Sequence, residues 1–136
     1  MSAEEPPPLH PAEAATIQAF VIKEKKQRYL EMLANSKKRA KFLDGLNHCS
    51  DLDERFTTPV CWHDAIDELR KRGAPDRCHI ISSINEFDGI DLPLAAALLW
   101  VEQQGWGTII CCIPGQLAYY YDECGFRRLI LERKSS

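Results

Sequence analysis

The chain has 136 residues, 45% of them hydrophobic and 27% charged, with a formal net charge of −3 at pH 7. These are ordinary globular values, and a chain this long buries about two-thirds of its unfolded surface without disulfide or metal staples. They exclude collagen, a low-complexity polymer and a repeat array. The sequence pI of about 5.8 is not that of a dedicated nucleic-acid binder, for which a domain pI above about 9 is the stronger sign.

Charge is unevenly spread. Residues 1–19 carry −3, residues 20–45 carry +5 and residues 46–136 carry −5. A basic segment therefore precedes a mildly acidic body. No apolar run reaches the roughly 18 residues of a membrane span, and the longest, 92–101, contains Pro93. The first residues hold Glu4, Glu5 and three prolines where a secretory signal would hold cations and an apolar core. A cytoplasmic protein with no membrane partner is expected. Six cysteines in a reducing compartment are expected to be small apolar packing residues.

In chain order, residues 1–11 read as a disordered tail, because three prolines and two acids cannot offset ordering entropy. Residues 12–136 read as one α+β domain, with a basic helical arm over 12–46 and a body over 59–136. One helix is expected from Ala12 to about Leu33, with Ile17, Val21, Ile22, Tyr29, Met32 and Leu33 on one broad face. Asn35-Ser36 reads as a break and N-cap, and a second helix follows to Leu46, anchored by Phe42, Leu43 and Leu46. Residues 47–58 read as a connection. Thr58-Pro59 reads as the cap and first turn of a third helix to Arg72, ended by Gly73.

Cys78–Ile84 reads as a strand and Asn85–Asp91 as a loop. Pro93 opens a nearly all-apolar fourth helix, expected to be central, which Gly105 ends. Thr108–Ile113, Leu117–Tyr121 and Phe126–Glu132 read as strands, the first two joined by a type II turn at Pro114-Gly115. The expected architecture is a small mixed four-stranded sheet. Its first two strands form a parallel β-α-β unit, and its last three form a C-terminal antiparallel meander.

Three groups of residues point to chemistry. The loop after the first strand gathers Ser82, Ser83, Asn85, Glu86, Asp88 and Asp91 at a strand's carboxyl end, where open α/β sheets place ligands. Glu86 and Asp88 would serve there as metal ligands or an acid/base pair, with His79 as a further catalytic candidate. Turn and cap chemistry explains the same residues without a ligand. His48-Cys49, Cys61-x-His63 and Cys78-His79 place histidine beside thiol, but their spacings match no zinc ribbon or finger. Cys111 and Cys112, adjacent on a strand, face opposite ways. No nucleophile elbow or cysteine-enzyme signature is present, and neither a cofactor nor a bound metal is expected.

The third group is the basic arm. Lys37, Lys38, Arg39 and Lys41 stand in the first turns of a helix, where cations oppose the dipole, and an anionic partner would relieve that cost. The reading that follows is a small binding or regulatory protein. Its arm would engage a protein partner, a second copy of itself, or an anionic partner such as nucleic acid. The alternative is an enzyme acting on a phosphate-bearing substrate at the acidic loop 82–91. An antitoxin-like or immunity-like module is a third reading, which size permits and no residue selects.

Overall fold

A computed structural model describes residues 9–133. The helices are α1 (Pro11–Phe20), α2 (Lys23–Ala34), α3 (Ser36–Gly45), α4 (Trp62–Lys71) and α5 (Leu94–Gln104). The strands are β1 (Thr57–Pro59), β2 (Arg77–Ser82), β3 (Asp91–Pro93), β4 (Thr108–Ile113), β5 (Leu117–Tyr121) and β6 (Arg128–Glu132). All six strands form one sheet in the order β1-β6-β5-β4-β2-β3, and every neighbouring pair is antiparallel. The protein is mixed α+β, as its sequence indicates, but its sheet has six strands rather than four.

Alternation along the strands sends side chains to both faces, and both are buried. One face carries Ile81, Ile109, Cys111, Ala118, Tyr120, Leu129 and Leu131 and packs against α1, α2 and α3. The other carries Cys78, Ile80, Ile110, Cys112, Leu117, Tyr119, Tyr121 and Ile130 and packs against α4 and α5. The sheet is thus the middle of three layers. Cys111 and Cys112 lie on opposite faces, as alternation requires.

The expected parallel β-α-β unit is replaced by an antiparallel pair, with His79 opposite Cys111 and Ser82 opposite Thr108. The cause is β3, a short strand that takes the last residue of the expected loop, Asp91, and the expected opening of the fourth helix, Leu92 and Pro93. It runs back along β2, pairing Cys78 with Leu92 and His79 with Asp91. With that return already made, α5 carries the chain back to the carboxyl end of β2, so β4 must descend beside it. The meander of β4, β5 and β6 forms as expected. The Gln116 N–H donates to the Ile113 carbonyl across 2.9 Å, and Gly115 supplies the positive φ of +73° that the turn requires.

Three further expectations are corrected. The helix expected over 12–33 breaks at Val21 and Ile22, which are extended. These β-branched residues run beside the 51–53 segment. The Ile22 N–H donates to the Asp51 carbonyl, and the Asp53 N–H donates to the Phe20 carbonyl. Thr58 and Pro59 do not open the third helix. They lie in β1, on the edge of the sheet beside β6, and the helix starts at Trp62. Helix α5 is not central. Leu94, Ala97, Leu98 and Val101 are buried at helical spacing, whereas Leu99 is 52% exposed on the opposite side. Of the expected tail, residues 1–8 lie outside the described part. Leu9 packs on the core, His10 caps α1 and Pro11 is its first residue.

The arm is held to the sheet at close quarters beyond α3. The Tyr120 hydroxyl donates to the Leu46 carbonyl at 2.5 Å and accepts from the Cys49 N–H at 3.1 Å. The Gly107 N–H donates to Asn47 Oδ1 at 2.6 Å. A Cβ at Gly107 would collide with the backbone of Leu46 and Asn47. Gly107→Ala is therefore expected to lower unfolding free energy by about 1–3 kcal/mol, the usual cost of overpacking. Urea denaturation checks this, and an unchanged midpoint would show that the contact yields freely.

Candidate functional site

Five charged side chains from five parts of the chain converge beside the sheet face that α1 covers. Glu13 projects from α1, Arg39 from α3, His79 from β2, Asp88 from the loop after β2 and Asp91 from β3. Asn35 starts α3 by accepting from the Lys37 and Lys38 N–H groups, which sets the phase that turns Arg39 inward. Odd-numbered positions of β2 face the arm, so His79 points at α1 while Cys78 points away.

The Glu13 carboxylate takes a bidentate pair from Arg39, at 2.7 Å to Oε1 and 3.0 Å to Oε2. The Arg39 Nε and Nη2 groups hold Asp88 at 2.8 and 3.0 Å. The remaining Arg39 donor reaches the Leu33 carbonyl at 3.3 Å, so all five guanidinium N–H groups are used. Asp88 Oδ1 also accepts from the Ser82 N–H. His79 Nε2 lies 2.7 Å from Glu13 Oε2, and His79 Nδ1 lies 2.9 Å from Asp91 Oδ1. A ring that donates from both nitrogens is an imidazolium.

The side chains of His79 and Glu13 are 5% and 3% exposed. Burial alone would raise the Glu13 pKa, but hydrogen bonds from His79 and Arg39, with their charges, bring it from 4.5 down to about 2. Burial alone would lower the His79 pKa, and the two carboxylates more than offset it, so the group is raised above 6.5. His10 stacks on His79 with ring centroids 3.8 Å apart. Its Nδ1 accepts from the Ala12 N–H, capping α1. Leu9, His10, Leu33 and Ser36 extend the network into the wall of an open cleft of about 430 Å³.

A second concavity, about 230 Å³, lies between α2 and α3. Lys25, Arg28 and Lys41 stand around it, and Met32, Phe42 and Leu46 line it. Among the described residues, none of these three cations has an ion-pair partner. Lys37 and Lys38 are exposed and likewise unpaired.

Two regions that are separate in sequence thus meet, because Arg39 of the basic arm grips Asp88 of the acidic loop. Arg39 turns away from solvent, whereas Lys37, Lys38 and Lys41 face it. Asp88 and His79 join the network, and Glu86 stands exposed outside it. Glu13 has no sequence signal beyond being an acid in a first helical turn. Its burial follows from Ala12, Thr16 and Ile17, which share its side of α1.

Cys111 sits across from His79, but burial raises its thiol to about 12. It is therefore a protonated packing group with Thr16 Oγ1 at 3.2 Å. His48 pairs with Glu123 at 2.9 Å, and Cys61 and His63 are exposed. Among the described residues, no three His, Cys, Asp or Glu side chains gather to hold a metal ion. No helix among them is long and apolar enough to cross a membrane. Comparison with protein families, with curated proteins and with solved structures gives no match.

The network predicts a defined pH response. Glu13 titrates near 4.5 unfolded and near 2 folded, so its contribution is full above 4.5 and is lost as pH falls towards 2. His79 has the opposite sign, with its contribution full below 6.5 and lost as pH rises through its higher folded value. Glu13→Gln should make the acid limb of a stability-against-pH curve shallower, and His79→Gln the alkaline one. Arg39→Ala removes the cation between the buried Glu13 and the half-buried Asp88 and should cost about 3–5 kcal/mol at neutral pH. Denaturant titrations across the pH range check all three, and an unaltered curve in Glu13→Gln would remove Glu13 as its source.

Proposed function

We propose that this protein binds an anionic partner through its helical arm and acts by binding rather than by catalysis. The observation that carries this reading is the state of the arm's cations. Arg39 is consumed inside the fold, whereas Lys37, Lys38 and Lys41, at i, i+1 and i+4, share one exposed side of α3. Lys25 and Arg28 stand across the groove from it. Lys37 and Lys38 occupy the first turn of α3, where positive charge opposes the dipole by about 0.3–1 kcal/mol each. A sequence optimised for stability alone would place acids there.

The condition of the acidic loop supports the same reading. An acid/base pair needs carboxylates free to meet substrate. Asp88 is gripped by Arg39 and the Ser82 N–H, and Glu86 stands apart from the network. The charges that do converge satisfy one another, as in a fastening between elements. The whole-chain charge of −3 favours a partner that meets a local patch over one that follows the whole surface.

Lys37→Glu, Lys38→Glu and Lys41→Glu combined should weaken binding to poly-L-glutamate at least tenfold at low salt. The thermal midpoint should stay level or rise, because acids at a helix start suit the dipole. Isothermal titration and differential scanning calorimetry measure the two. Undiminished affinity in the triple variant, or no affinity in the unaltered chain, would sink the reading.

A further inference from the structure

The groove between α2 and α3 has a composition that the exposed lysine stripe alone does not explain. Its floor is apolar, formed by the buried side chains of Met32, Phe42 and Leu46, and its rim is cationic, formed by Lys25, Arg28 and Lys41. The Tyr29 hydroxyl, at its side, is already committed to Asp51. We infer that this groove takes one aliphatic or aromatic side chain from an acidic peptide segment of a partner protein, whose flanking carboxylates meet Lys25, Arg28 and Lys41. The inference rests on the anion-binding reading above and gives that partner a chemical class.

Three observations select this occupant. The volume, about 230 Å³, is below the roughly 300–1,000 Å³ of pockets that enclose a whole small ligand, and suits a single inserted side chain. A purely electrostatic contact would not need an apolar floor, whereas a peptide anchored by one buried residue does. The aromatic pair beside the groove, Tyr29 and Phe42, meets edge to face with centroids 5.1 Å apart. Bases of a single strand stack instead on open aromatic faces.

Gly45 lies on the groove wall, and a Cβ built there meets nothing within 4 Å. Its φ of −65° suits any residue. Gly45→Phe should therefore plug the groove from within a folded protein. The experiment is fluorescence anisotropy on the full chain with three labelled probes. These are the peptide Asp-Asp-Glu-Phe-Asp-Glu, the same peptide with alanine for phenylalanine, and a twelve-residue oligothymidylate. The phenylalanine peptide is expected to bind at least tenfold more tightly than the alanine peptide. Gly45→Phe should remove that difference while leaving poly-L-glutamate binding intact. The combined change Lys25→Glu and Arg28→Glu, at exposed or half-buried positions, should weaken the phenylalanine peptide at least tenfold and serves if Gly45→Phe fails to fold. Equal affinity for the two peptides, or full affinity in Gly45→Phe, would overturn the groove and leave the lysine stripe as the binding surface. Tighter binding of the oligothymidylate would overturn the peptide class. Loss of poly-L-glutamate binding by the unaltered chain would remove the broader reading as well.

Discussion

The bidentate contact between Arg39 and Glu13 organises this molecule. It joins the two helices that flank α2, and both partners reach onward, Arg39 to the loop after β2 and Glu13 to β2 itself through His79. Such a contact is costly to build, since each charge must leave water, and costly to break, since removing one partner strands the other. The geometry is therefore shared out. Two cations and three carboxylates satisfy one another with the Leu33 carbonyl and the Ser82 N–H, and the arm cannot shift without opening the whole set. The hydrophobic face beneath supplies most of the adhesion of the arm. The charge cluster fixes where along that face the arm must sit.

This arrangement explains the division of labour along the arm. Its inward side is fully committed, to the sheet through Ile17, Phe20 and Leu46 and to the network through Glu13 and Arg39. Its outward side carries cations for which the fold has no use. A rigid base and a chemically unspent surface suit recognition, because little ordering remains to be done when a partner arrives.

Much of the architecture was legible in the sequence. The cap at Asn35, the stop at Gly105, the turn at Pro114-Gly115 and the meander follow from local chemistry with short memory along the chain. What escaped was non-local. β1 and β3 are three residues each, too short to show a period, and they exist only because neighbouring strands offer them a partner. The break at Val21 is likewise invisible without the 51–53 segment that pairs with it. At the site, Asp88, Arg39 and His79 were legible as chemically notable residues, but their meeting was not. An arginine in a basic run looks solvated until the phase of its helix is known. Glu13, the hub of the cluster, is not singled out by the sequence, because nothing in its neighbourhood announces burial.

The two outer strands, β1 and β3, set the character of the sheet's margins. Each spans three residues and each ends in proline, Pro59 on one side and Pro93 on the other, so neither offers the run of free N–H groups that an incoming strand requires. The sheet is thus closed to growth at both margins. It is guarded against the edge-to-edge stacking that leads to fibrils, and it is unsuited to capturing a partner by adding a strand. Under the proposed binding reading, recognition would fall to side chains on the helical layers, without help from backbone pairing.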